Sequence, residues 1–254
     1  MLWSLHNRAC EARRQDGILS DPATILIHDA IEYDFRQNFG VPAGTLAARA
    51  AQIDRELRRW LEQHPDGFVV SLGEGLETQS ARVDNGRMRW LTVDLPHAIS
   101  LREKFIVPNQ RFSHLPASAC APDWMDHVDP TAEICIIAQG LLMYLPPRLV
   151  EQLFRAIAAR FVGAMMIFDT VPRWFSRLTL DGLQQTPRYR LPPMPWGVDQ
   201  DEIEDLLRRW HPGLVRVEFL KYRAPRGFPR YVADWWDVMP VFRHEVPCLC
   251  KVLL

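Results

Sequence analysis

Four short runs from Phe68 onward are almost continuously apolar: FVVSLG at 68–73, MRWLTVDL at 88–95, EICIIAQ at 133–139 and AMMIFDTV at 164–171. Unbroken rather than alternating hydrophobicity predicts strands covered on both faces, as in a parallel sheet with helices on either side. The segments between them switch to helical spacing. At Pro146–Phe161, Leu149, Val150, Leu153, Phe154, Ile157 and Phe161 form one apolar stripe, and Pro146-Pro147 opens the helix. A second amphipathic helix, at about 199–210, carries Ile203, Leu206, Leu207 and Trp210 between proline-rich breaks. The chain closes with VRVEFLKY at 215–222, a loop bearing Trp235 and Trp236, and CLCKVLL at 248–254. No helix-length periodicity separates the two terminal runs, which predicts a hairpin-like antiparallel edge.

Before Phe68 the pattern is helical. Ala23–Phe35 follows Asp21-Pro22, a capping residue and a first-turn proline. Leu46, Ala50, Ile53, Leu57, Trp60 and Leu61 then recur every three or four positions, with Arg49, Asp54, Arg55, Arg58 and Arg59 between them. The expectation is an open α/β sheet at 66–254 with an N-terminal helical cap at 1–65. The stretch 171–198 exceeds a usual connection and reads as a lid-like insertion.

Composition narrows the class. The 254 residues are 48% hydrophobic and 24% charged, which excludes a disordered chain, a collagen-like repeat and a disulfide miniprotein. Net charge is −1, so no overall basic footprint for nucleic acid exists. No apolar stretch approaches the roughly 18–20 residues that span a bilayer. The opening MLWSLHNRACEARRQDG is charged where a secretory signal is apolar. Five cysteines, an odd number in a chain of this size, read as reduced thiols in a cytoplasmic protein. Neither a nucleic-acid nor a membrane partner is expected, and the sequence sets no oligomeric state.

In open α/β sheets ligands bind beyond the carboxyl ends of the strands, where strand order reverses. The first strand runs into Ser71-Leu72-Gly73-Glu74-Gly75-Leu76-Glu77-Thr78. Gly73 and Gly75 allow a tight turn and close approach to a ligand, and a helix from near Leu76 would aim free N–H groups at it. A ligand-free strand-to-helix turn reads the same way. Thr78 stands where a dinucleotide fingerprint has its third glycine, and Glu74 and Glu77 would repel a pyrophosphate, so a nicotinamide cofactor is disfavoured. Asp94 closes the second strand 21 residues after Gly73. Its carboxylate can accept both ribose hydroxyls or cap the helix that Pro96 opens, and the two roles are compatible. Glycine turn and carboxylate together point to an adenosyl ligand.

The ordered runs VVSLGEGLETQSARV, WLTVDLPHAISLREKF, DWMDHVD and IIAQGLLMYLPPRLVEQLF resemble the leucine carboxyl methyltransferase family, and within it the bacterial polyketide O-methyltransferases of the tetracenomycin type. The resemblance covers roughly residues 18–210. It implies a Rossmann-like class I methyltransferase sheet, mostly parallel with an antiparallel last strand, that uses S-adenosylmethionine. It further implies that Arg49 holds the methionine carboxylate, that Gly73 and Gly75 contact the cofactor, and that Asp94 takes the ribose. Ser118, Ala119 and Cys120 would lie along adenine. Three departures stand out: Ala121 where the family has an adenine-binding Asp, Gln139 where it has Glu near the sulfonium, and the long acids Glu74 and Glu77 in the turn. Gln139 can still accept from an ammonium, and Glu74 can return the missing charge.

On the acceptor side, a carboxylate needs no general base, whereas a phenol benefits from a histidine. His97, His114, His127, His211 and His244 are scattered, and none has a partner at metal-ligand spacing, so no metal is expected. Cys248 and Cys250 share one strand face and read as buried packing. Tyr144 follows the fourth strand and is the best single lining candidate; its alternative is an aromatic packed under the cap. Trp174, Phe175, Tyr189 and Trp196, with Arg173, Arg177, Arg188 and Arg190, suggest a wall for a planar acidic or polyphenolic acceptor; the alternative is a cap helix whose arginines are solvated. The expected function is O-methylation of a small-molecule carboxyl or phenol; the alternative is a protein of this fold that has lost or changed methyl transfer and serves as a binding partner or runs another reaction in a biosynthetic pathway.

Overall fold

The apolar runs assemble into one seven-stranded sheet. The computed structural model describes residues 1–222, 225–226 and 247–254. Its strands are β1 (Phe68–Leu72), β2 (Arg89–Asp94), β3 (Phe112–Pro116), β4 (Ile134–Ala138), β5 (Met165–Thr170), β8 (Arg216–Leu220) and β9 (Cys248–Leu253). The order is β3-β2-β1-β4-β5-β9-β8. β1 pairs in parallel with both β2 and β4, and β4 with β5. β9 runs antiparallel between β5 and β8. The order reverses between β1 and β4, so the loops leaving these two strands part and open a crevice. β1, β4 and β5 are buried along their whole length, as their unbroken apolar runs require.

β3 was not foreseen. FSHLP has no apolar run because it is an edge strand with polar Ser113 and His114 in it, paired to β2 on one side only. Two helical expectations also change. The helix expected at 23–35 is α2 (Pro22–Ala30), after which the backbone extends at Ile31. Asp34 then caps a separate short α3 (Phe35–Phe39) by accepting from Gln37 N at 2.9 Å. The local carboxylate cap outcompetes continuation of the helix. The helix expected from near Leu76 is α5 (Gln79–Val83), so residues 73–78 form an extended turn with no helical N-terminus inside it.

α1 (Leu2–Ala12) and the start of α4 (Thr45–Gln63) border the crevice at the strand ends, and α2 and α3 pack on α1. α4 sends Ile53, Leu57 and Leu61 onto the sheet face made by Val69, Trp90 and Ile137. α6 (Pro96–Arg102) follows β2, α7 (Pro147–Arg160) joins β4 to β5, and α9 (Gln200–Trp210) packs with α7 on the other face. The 171–199 stretch contains α8 (Arg173–Leu180) and a small hairpin of β6 (Gln184–Thr186) and β7 (Tyr189–Arg190). It leans on the cap. Tyr189 meets Phe39 edge-on at 4.7 Å, and Thr186 Oγ1 donates to Asn38 O at 2.5 Å. Cys248 and Cys250 are buried with their sulfurs 3.7 Å apart. Trp235, Trp236 and His244 lie outside the described residues. Among the described residues, no helix is long and apolar enough to cross a membrane.

Candidate active site

A cavity of about 710 Å³ opens at the switch point between β1 and β4. The glycine turn forms its floor. Gly73 and Gly75 both have positive φ, 63° and 58°. A Cβ on Gly73 would stand 2.8 Å from Leu141, and one on Gly75 would stand 3.0 Å from Met1, so side chains there would both strain the backbone and close the space. Asp94 faces the turn: Oδ2 accepts from Gly75 N at 2.8 Å and Oδ1 from Leu95 N at 2.8 Å. Each oxygen keeps acceptor capacity beyond these bonds, and a carboxylate lining the cavity suits a diol.

The two turn glutamates take opposite roles. Glu74 does not supply charge to the cavity, contrary to expectation. Its carboxylate is turned inward, where it accepts from Trp90 Nε1 at 3.1 Å, from Thr92 Oγ1 and from Arg102 Nη2 at 3.1 Å. Burial pushes this carboxyl up against the opposing pull of Arg102. Glu77 is buried too, but Arg8 and Arg82 pair with it at 2.9 and 2.7 Å and hold it down at about 2 despite the desolvation. Arg82 is the hub of the layer beneath: it also donates to Asp21 Oδ2 at 2.7 Å and to both oxygens of Asp54. These bonds tie the start of α2, the middle of α4 and the glycine turn into one buried network.

Gln139, closing β4, donates through Nε2 to Glu77 Oε2 at 3.3 Å. Its Oε1 is buried without a protein partner. An unpartnered buried acceptor at a cavity wall costs about 1–3 kcal/mol unless a ligand donor meets it. Arg49 reaches the same region, where Nη1 donates to Asp169 Oδ2 at 2.5 Å. Asp169 Oδ1 accepts from Gly140 N at 2.6 Å, so both its oxygens are engaged. Arg8, Arg49, Gln139 and Asp169 thus cluster where β4 and β5 end.

The rest of the cavity wall is largely apolar and aromatic. Trp3, Met143, Tyr144, Phe175, Tyr189 and Met194 line it, with Tyr222 near Arg49 and Asp169. Burial pushes the Tyr144 phenol up to about 12 and raises that of Tyr222 as well, so both are neutral donors. His97 also lines the cavity.

Of the residues singled out in the sequence, Arg49, Gly73, Gly75, Asp94, Gln139 and Tyr144 come together on the cavity wall, and Glu74 reaches it with its carboxylate turned away. Ser118, Ala119 and Cys120 do not line it. Ala119 is in the core and accepts from Trp124 Nε1 at 3.0 Å, and Ser118 Oγ accepts from Cys120 N at 3.2 Å. Trp196 is also core, 6.4 Å from the Phe168 ring, and Trp174 packs edge-on against Phe175, which takes the wall position beside it. None of Arg173, Arg177, Arg188 and Arg190 lines the cavity, and Arg173 pairs with Glu202 at 2.8 Å. Sequence reasoning missed Arg8, Arg82 and Asp169. Asp169 closes β5, so the strand-end rule reaches it; Arg8 sits on a helix whose place over the sheet has no local signal.

No family model matches the chain. The tetracenomycin polyketide synthesis O-methyltransferase TcmP of Streptomyces glaucescens is 28% identical over 183 residues, covering 70% of this chain and 67% of that protein. Among solved structures, the plantazolicin methyltransferase BpumL in complex with S-adenosylhomocysteine (SAH) covers 98% of this chain and 95% of its own at a TM-score of 0.54 and 11% identity. The methyltransferase domain of bacterial CtHen1 covers 80% and 98% at 0.53 and 12%. The chain therefore has the Rossmann-like class I methyltransferase fold, and fold and relative together support an S-adenosylmethionine-dependent methyltransferase.

Proposed function

We propose that the chain is an S-adenosylmethionine-dependent O-methyltransferase of the leucine carboxyl methyltransferase type, acting on a flat, largely apolar small molecule through a carboxyl group. The observation that carries this reading is the polar division of a single cavity. Its switch-point end has a ribose-competent carboxylate at Asp94, two arginines at Arg8 and Arg49, and the unpartnered acceptor Gln139 Oε1. These residues fit an adenosyl amino acid: Asp94 for the ribose, Gln139 for the ammonium, and Arg8 with Arg49 for the carboxylate. When bound, the cofactor supplies a methyl group on a cationic sulfur, open to in-line displacement.

The chain's own task is then to orient an acceptor oxygen and exclude water. Among the described residues, His97 is the one histidine on the cavity wall, and both oxygens of Asp169 are engaged by Arg49 and Gly140. A carboxylate arrives ionised and needs no base, whereas a phenol would have to lose a proton first. Neutral Tyr144 and Tyr222 can donate to it and hold it. The TcmP relative, a polyketide synthesis enzyme, supports an aromatic polyketide-like acceptor, and the Trp3, Phe175 and Tyr189 wall accommodates a planar ring system. The cavity is open and its polar end complete, which favours retained transfer over a binding-only role.

The test is transfer of labelled methyl to matched aromatic acids and phenols across pH. Ester formation with a rate flat above the acid's own pKa is expected. Faster transfer to the phenol, rising toward its pKa, would overturn the carboxyl assignment.

A further inference from the structure

Arg102 closes α6 and is 1% exposed, yet it lies behind the glycine turn and does not line the cavity. Its Nη1 donates to the carbonyl oxygens of Gly75 at 2.9 Å and Glu77 at 2.6 Å. Nη2 donates to Glu74 Oε1 at 3.1 Å, and Nε to His114 Nε2 at 3.2 Å. One guanidinium thus binds three of the four residues 74–77. These residues precede α5, which begins only at Gln79, so helical hydrogen bonds do not fix their carbonyls. Two of the six positions in 73–78 are glycines at positive φ, the residues with most conformational freedom to lose.

Glu74 anchors the arginine. It accepts in turn from Trp90 and Thr92 of β2, the strand that ends in Asp94. The route Gly75 O–Arg102–Glu74–β2 therefore returns to the carboxylate that binds Gly75 N. His114 completes it from β3: with Nε2 accepting from Arg102, its Nδ1–H donates to Glu103 Oε1 at 3.3 Å. Only arginine has the rigid five-donor fork for this; a lysine ammonium can meet Glu74 but cannot reproduce the paired carbonyl bonds.

We propose that Arg102 is a positioning residue for the cofactor turn, gripping the Gly75 and Glu77 carbonyls from behind so that the face of the turn stays shaped for an adenosyl ligand. The ligand part rests on the cofactor reading above; the grip on the turn does not. Glu74, on this account, is the anchor of the clamp, and its unusual length lets it reach Arg102 while staying out of the cavity.

Three variants test this: R102K, E74Q, and the double variant E74L/R102L. Replacing a whole buried ion pair by apolar side chains is often neutral for stability, so the double variant separates folding from positioning. Readouts are amide hydrogen exchange of residues 73–78 in the ligand-free protein, calorimetric Kd for SAH, and Tm. R102K and E74L/R102L are expected to speed exchange at 73–78 about tenfold or more, with α4 and β4 unchanged, and to weaken SAH about tenfold. E74Q keeps a neutral acceptor for the fork but loses the charged anchor, so its exchange at 73–78 and its SAH Kd are expected between those of wild type and R102K. Exchange at 73–78 within about twofold of wild type, or an equal acceleration across the whole chain, would overturn the clamp. Failure of the wild type to bind SAH would remove the cofactor reading alone, and the exchange rates would still decide the grip.

Discussion

The two ends of the cavity solve different problems with different chemistry. At the switch-point end, Glu77, Asp169 and Asp94 are already held by arginines or backbone N–H groups, and beneath them Arg82 gathers Asp21, Asp54 and Glu77. At the acceptor end the wall is rings, methionines and prolines from the cap, the β4 and β5 loops and the 171–199 stretch. The polar end is fixed before a ligand arrives, so it suits a constant partner. The aromatic part is built from segments distant in sequence and supplies shape, with few directional bonds, which suits a flat apolar partner.

The strongest way to break the polar end is to remove its hub. Arg82→Met leaves Asp21, Asp54 and Glu77 buried without their cation, and a loss of about 3–5 kcal/mol in chemical denaturation is expected. A loss under about 1 kcal/mol would show that the network is not a unit.

Acid tests the same network without mutation. The carboxyl of Glu77 is lowered from its usual value of 4.5 to about 2, so its stabilising contribution is complete above pH 4.5 and lost as pH falls through about 2. Tm followed from pH 6 to pH 2 is expected to fall less steeply in Glu77→Gln than in wild type over this window. Parallel curves would contradict the assignment.

Gln139 sharpens the comparison further. Its Nε2 meets Glu77 Oε2 at 3.3 Å, so a glutamate there would oppose two carboxylates. Gln139→Glu is therefore expected to bind SAH no better than wild type and to lower Tm by a few degrees, about 1 kcal/mol in a chain of this size. A tenfold gain in affinity would instead mark Gln139 as a lost function. The smallest effects belong to the acceptor wall: Phe175→Ala raises acceptor KM about three- to tenfold, and Trp174→Ala changes it by less than about twofold, in steady-state kinetics.

How far the sequence reached follows the same division. Unbroken apolar runs announced β1, β4 and β5 because both faces of these strands are covered, while the half-wet edge strand β3 had no such run. The glycine turn and Asp94 were legible because their chemistry is local: two glycines that need positive φ and a carboxylate at a strand end. Charges in the turn were visible but not their directions. Glu74 looks like a cavity anion until Trp90, Thr92 and Arg102, 16 to 28 residues on, turn it inward. The aromatics of the 171–199 stretch are legible by residue type, but its path depends on tertiary packing, which puts Phe175 and Tyr189 on the cavity wall and Trp196 in the core. Ser118, Ala119 and Cys120 are placed by resemblance alone; in the structure the Ala119 carbonyl accepts from Trp124 Nε1.

The central claim is that the crevice between β1 and β4 holds an adenosyl ligand by the carboxylate of Asp94. Calorimetry of SAH with wild type and Asp94→Ala tests it most directly. The account predicts one site per chain in wild type and at least about tenfold weaker binding in the variant, the loss expected for hydrogen bonds to a charged group. Equal affinity in the two proteins, or no binding to wild type, would contradict it.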